Sequence, residues 1–160
     1  MARITVNTSG TQPHLYVSTN TANVEANALS VTCLQDITVT NSTGIFSWTD
    51  FCSTDINKVT TPADNEVSTN IVIDEDGFFG NSSLANTTAG FFGVAGLSND
   101  KTEISWRLVL NGDNSTTGAK YYEGTGYLSS VAPTVSPDSP VWVSPLTIAV
   151  DGAMTIGEIA

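Results

Sequence analysis

Two cysteines, Cys33 and Cys52, and one histidine, His14, are the only residues of their kinds in this chain of 160. They leave little room for metal or nucleophilic chemistry. A protein-bound zinc needs three or four Cys, His or carboxylate donors, and no second Cys or His pair completes the set. His14 stands beside Pro13 in a polar stretch, with no G-x-S-x-G or comparable serine setting to work with. The densest acidic cluster is Asp74, Glu75 and Asp76 before Gly77, the type of donor set that a hard cation prefers. A calcium-loop pattern breaks off at Phe78 and Phe79, so the cluster is expected to be a solvated turn. Glycoside hydrolysis needs two carboxylates in a fixed relation, and nothing singles out a pair. Enzymatic activity is therefore the weakest class, and no catalytic residue, metal ligand or cofactor is expected.

The acids outnumber the bases 16 to 5, for a formal charge of −11, with Arg3, Lys58, Lys101, Arg107 and Lys120 scattered along the chain. A groove that grips nucleic acid needs clustered cations to displace counterions from phosphates, and this chain has no such cluster. The acidity fits two roles: solubility, or a conduit through which DNA slides without sticking. The N-terminus, MARITVNTSG, has no apolar core of a secretory signal. No apolar run approaches the roughly 20 residues of a membrane helix. Synthesis and assembly in a cytoplasm are the expectation, and Asn41-Ser42-Thr43 and Asn114-Ser115-Thr116 read as turns rather than glycosylation sites.

What positions these residues is expected to be one domain over residues 1–160, long enough to bury very roughly 70 % of its unfolded surface. Charged residues are only 13 % of the chain, and the abundance of Thr, Ser, Asn and Gly favours antiparallel strands joined by tight turns. Residues 1–27 read as an N-terminal arm or edge element, with short strands at 4–6 and 15–18. From Ala28, ALSVTCLQDITVT, NSTG and IFSWTDFC fold on paper into a hairpin that pairs Thr40 with Ile45, Val39 with Phe46, Ile37 with Trp48 and Cys33 with Cys52. That register gathers Ile37, Val39, Phe46 and Trp48 on one face. It also sets the two cysteines about 4.5 Å apart at Cα: a disulfide is geometrically open, and a cytoplasm favours reduced, buried thiols.

Residues 53–70 are polar, contain Pro62 and follow neither structural period, which predicts a long functional loop extending a hairpin toward a neighbour. A loose 3.6-residue stripe over 83–97 predicts one short helix, weakened by Gly90, Gly93 and Gly96. Ile104, Trp106, Leu108 and Leu110 line one face of a strand that turns at 111–114.

The richest stretch is YYEGTGYLSSVAPTVSPDSPVWVSPLTIAVD, residues 121–151. Gly124 and Gly126 alternate with bulky residues and leave room for another backbone to come close. In its second half Trp142, Leu146, Ile148 and Val150 share one face, and Val141, Val143, Thr147 and Ala149 the other, so both sides need cover.

An aromatic-Gly-x-Gly-aromatic segment (122–127), a serine-rich strand (128–131), a Pro/Asp turn (133–140) and a last strand ending near Asp-Gly (141–152) resemble the C-terminal half of the tail tube, or major tail, proteins of long-tailed bacteriophages. With the helix and the strand ISWRLVLNGD upstream, the likeness covers about the last two thirds of the chain. The resemblance implies a mainly β fold, an antiparallel β-sandwich or barrel with one short flanking α-helix and a long hairpin loop. It implies a virion protein whose copies, six to a ring, join sheets and stack into the tube through which DNA is ejected without specific binding, alongside other tail proteins. In that setting the loop residues Thr54, Asp55, Asn57, Lys58, Pro62, Asp64 and Glu66 are expected to stack one ring on the next. Asp64, Glu66, Glu103, Asp113 and Glu123 are candidates to face the lumen. Two alternatives stand beside it: a capsid-decorating or surface-adhesion β-domain, and a lectin-like or carbohydrate-active domain. Against the latter, Trp48, Trp106 and Trp142 all fall on predicted core faces.

Overall fold

The computed structural model describes residues 4, 12–19, 28–31, 33–49, 55–81 and 88–160. Alternation of apolar and polar side chains yields strands β1 (His14–Ser18), β2 (Leu29–Val31), β3 (Leu34–Thr40), β4 (Ile45–Trp48), β5 (Asn57–Thr60) and β6 (Asn65–Val72). Two helices follow, α1 (Glu75–Phe79) and α2 (Thr88–Asn99), and then β7 (Glu103–Val109), β8 (Lys120–Val131), β9 (Thr134–Ser136) and β10 (Ser139–Glu158). The main sheet runs in the order β2-β1-β7-β8-β10-β6-β3, with β9 paired to the start of β10, while β4 and β5 form a separate two-stranded ribbon. Every pairing is antiparallel.

The order of that sheet forces its curl. Its edge strands β2 and β3 are separated in sequence only by residues 32 and 33, which reach at most about 10 Å. Seven strands laid flat would hold their edges ~29 Å apart. The sheet therefore rolls up until its edges meet at a corner, where Cys33 takes a positive φ of 57° and its carbonyl accepts from the Val72 N–H at 3.1 Å. Leu15, Val17, Leu29, Val31, Val67, Ile71, Ile104, Trp106, Leu108, Leu128, Leu146 and Ile148 fill the concave side, joined by Phe78 of α1 and Ala89, Val94 and Leu97 of α2. At Gly93 (φ 63°) the helix kinks, because a Cβ there would stand 2.4 Å from the Gly80 backbone nitrogen and 2.6 Å from the Phe78 carbonyl. Only glycine lets α1 and α2 come this close.

Several sequence expectations need correction. The hairpin of residues 28–52 does not form: β3 pairs with β6, setting Ile37 opposite Thr69 and Val39 opposite Val67, and β4 pairs with β5, setting Phe46 opposite Val59. Alternation sorts a strand's faces but does not choose its partner, and the polar composition of the first half of β6 gives it no strand signal. Residues 53–70 are consequently not one long loop, since they hold β5 and most of β6. The polar side chains that β6 buries are satisfied: Asn65 Nδ2 donates to the Gly152 carbonyl at 3.1 Å and its Oδ1 accepts from the Ser42 N–H at 3.3 Å.

The acidic turn at 74–77 is the start of α1, and Asp74 is its N-cap, accepting from the N–H groups of Asp76 and Gly77. The stripe at 83–97 becomes α2, five residues later at its start, with residues 82–87 outside the described set. β1 was expected in an arm or at an edge, and instead lies inside the sheet between β2 and β7. Of the three tryptophans only Trp106 is in the core, at 0 % exposure against 43 % for Trp48 and 52 % for Trp142. The burial argument against a carbohydrate-binding surface therefore falls.

Candidate assembly surfaces

β3 and β6, neighbours in the sheet, lead out of it into the β4–β5 ribbon, closed at its base by the Thr61 N–H donating to the Gly44 carbonyl at 2.8 Å. The ribbon pairs Phe46 with Val59 and Trp48 with Asn57, so Phe46, Trp48 and Val59 share a face, and the Phe46 and Trp48 rings stack 5.9 Å apart. Ile45, Phe46, Trp48, Ile56 and Val59 are all exposed. An isolated two-stranded ribbon is marginal in water, and one that carries this much uncovered apolar surface is built to be covered by something else.

Asp55, Asn57, Lys58, Pro62 and Asp64 lie on this arm or at its base, whereas Glu66 sits on β6 in the main sheet. Thr54 falls outside the described residues, as does Cys52. Cys33 is an exposed free thiol at the β2–β3 corner. The register that would have brought Cys52 to it is replaced by the β3–β6 pairing.

The convex face of the sheet carries the other candidates. One row of paired residues crosses five strands, Thr40, Glu66, Ala149, Tyr127 and Glu103. Asp36 and Asp151 lie on exposed stretches of β3 and β10 nearby, and Asp36 accepts from Asn70 Nδ2 at 2.8 and 3.2 Å. β3, β6 and β10 contain no lysine or arginine, so this face is small, polar and acidic. Asp36 and Asp151 were missed by sequence reasoning. Their grouping with Glu66 depends on strand order, which no local pattern encodes.

Glu123 lies on the same face, two pleats along β8 from Tyr127, but is ion-paired, and Asp113 sits between β7 and β8. Arg107 donates from Nε and Nη2 to Glu123 Oε2 at 3.0 and 2.8 Å, and its guanidinium lies 4.6 Å from the centroid of the Tyr121 ring. Asp113 accepts from the Ser115 hydroxyl, the Thr116 hydroxyl and the Ser115 N–H, which together lower its pKa to about 2. His14 closes the same end: its Nδ1 lies 2.8 Å from the Gly112 carbonyl and 3.0 Å from that of Gln12, so Nδ1 carries the proton and donates. These contacts staple a turn to the sheet. They present no general base beside a nucleophile, and among the described residues no three His, Cys, Asp or Glu side chains gather as a metal site.

The glycines of β8 each have a distinct use. A Cβ on Gly126 would stand 2.3 Å from the Ala149 carbonyl oxygen of β10, the close backbone approach expected there, while at Gly124 the neighbour is the Trp106 ring at 3.4 Å. Among the described residues no helix is long and apolar enough to cross a membrane.

No family model and no curated protein matches the chain. Among solved structures it is similar to a chain from the tail of an empty gene transfer agent particle with C6 symmetry, with a TM-score of 0.60 and 11 % identity over 96 % of this chain and 99 % of that one. It is similar also to the SPP1 tail tube, with a TM-score of 0.60 and 10 % identity over 96 % of this chain and 80 % of that one. A chain from the sheath/tube terminator of the PVC extracellular contractile injection system gives a TM-score of 0.54 and 12 % identity, over 98 % of this chain and 99 % of that one. At such identities the likeness is one of fold: a mainly antiparallel β architecture, with a curled sheet and a short helix, shared with tail and tube chains.

Proposed function

We propose that this protein is a structural subunit of a phage-type tail tube, in which six copies close a ring, rings stack, and the bore gives DNA a path it does not bind. The shared fold supports this reading, and C6 symmetry in a similar tail supports the count of six. The observation that carries it is the β4–β5 arm, whose aromatic face finds no cover among the described residues of its own chain. Edge strand β3, hydrogen-bonded among the described strands on one side only, to β6, offers its free backbone groups to a neighbour's sheet within the ring. Its place is the virion tail, assembled in the host cytoplasm with other tail proteins.

The acidic, cation-free face of β3, β6 and β10 is our candidate for the channel wall, with Asp36, Glu66 and Asp151 on it and Glu103 at its β7 border. Like charge keeps phosphates from adhering there. The arm residues Asp55, Asn57, Lys58, Pro62 and Asp64 take the contacts between rings.

Negative-stain microscopy of the purified protein over a range of concentrations tests the whole reading. Sixfold rings and tubes are the expected result. A protein that stays monomeric at every concentration and salt would overturn it.

A further inference from the structure

The arm and its complement lie at opposite ends of the same strands. β6 begins at Asn65, beside the arm, and ends at Val72; β10 runs the other way, with Val143 opposite Val72 and Val150 opposite Asn65. Eight residues of strand separate the two ends by ~25 Å. At the far end Ile73, Phe79, Pro133 and Trp142 line an apolar notch of about 270 Å³, in which the Phe79 and Trp142 side chains are exposed. A cavity of about 150 Å³ already accepts a benzene ring, so this notch has room for an indole.

We infer that this notch receives the aromatic face of a second copy's β4–β5 arm, Trp48 with Phe46 behind it, and so joins copies head to tail along the strand direction. The inference rests on the tube reading above and names the receptor for its stacking contact. Among the described residues of one copy the arm is bare and the notch is open, so neither fills the other. A contact between opposite ends of a molecule is heterologous and leaves a free arm and a free notch at the two ends of every chain of copies, which is the condition for open-ended growth.

The match is apolar rather than charged: Lys58, paired with Ser47, lies on the ribbon face opposite Phe46 and Trp48, and the notch is lined by Ile73, Phe79, Pro133 and Trp142. The competing receptor is a larger groove of about 850 Å³ along β3, lined by residues that include Val31, Leu34, Ile37 and Val39. It lies on the strand from which the arm itself springs.

A photoreactive phenylalanine analogue at position 48, incorporated into the full chain and irradiated after assembly, reads the contact directly. Cross-links are expected between copies, to peptides that contain Phe79 or Trp142. Trp48→Ala and Trp142→Ala should each raise the concentration needed for tubes by about tenfold or more, as loss of a buried aromatic anchor does. The double variant should be no worse than either single one, with thermal melts of the unassembled variants confirming that they fold. Tubes whose cross-links fall in the β3 groove, or single effects that multiply in the double variant, would overturn the notch and leave the tube reading standing. A wild-type protein that forms neither rings nor tubes would overturn both.

Discussion

Ile104-Ser105-Trp106 in β7 and Phe46-Ser47-Trp48 in β4 are almost the same tripeptide, and the fold treats them in opposite ways. β7 is an interior strand between β1 and β8, and Trp106 is sealed beneath Gly124. Among the described strands β4 has only β5 beside it, and Trp48 stacks on Phe46 in the open. The first tryptophan is buried by its own chain, while the second waits for cover from elsewhere. A strand's local pattern states that a face must leave water. It is silent on which molecule supplies the cover.

The contrast can be broken most forcefully at Trp106. Trp106→Ala should cost about 3–5 kcal/mol of folding stability, as expected for a large aromatic lost from a core, and denaturant unfolding of the unassembled protein measures it. A loss below about 1 kcal/mol would mean that β7 is not the centre of the fold. Gly126→Ala is expected to cost less, about 1–3 kcal/mol, because its new Cβ would collide with the Ala149 carbonyl and push β8 from β10. The same unfolding experiment reports it, and an unchanged midpoint would show that the two strands are not held so close. At the small end, Trp48→Ala should alter the stability of the unassembled subunit by no more than about 0.5 kcal/mol, as exposed substitutions do. A large loss there would show that the arm is part of the intramolecular core after all.

The C-terminal half was legible because its signals are local and redundant. β7, β8 and β10 alternate strongly, and Gly124 and Gly126 mark where a ring and a backbone lie against β8. The first half misled for a physical reason. In β6 the stretch from Asn65 to Asn70 has one apolar residue, Val67, and becomes a strand because β10 and β3 satisfy its backbone from both sides. A turn-like NSTG between two alternating runs looked like a hairpin, yet those runs belong to different sheets. An acidic face built from Asp36 on β3, Glu66 on β6 and Asp151 on β10 exists only once strand order is known. Only the β5 half of the arm was legible as a segment without a core pattern; β4, with Phe46 and Trp48, read as a core-facing strand, and the ribbon with its stacked rings was not legible.

β10 follows every other strand in the chain and yet inserts between β8 and β6 in the sheet. Val67 therefore waits for Ile148 before the β6 side of the curled sheet can join the rest. Such distant pairings make folding slow relative to local hairpins, and they impose a timetable on synthesis. The sticky arm emerges from the ribosome long before the strand that locks its base, so a nascent chain carries its adhesive segment on an unfinished scaffold. The polar, charged make-up of the residues around that segment, Asp55, Lys58, Asp64 and Glu66, then acts as a temporary guard against premature clumping. The main sheet is complete only with the final strand.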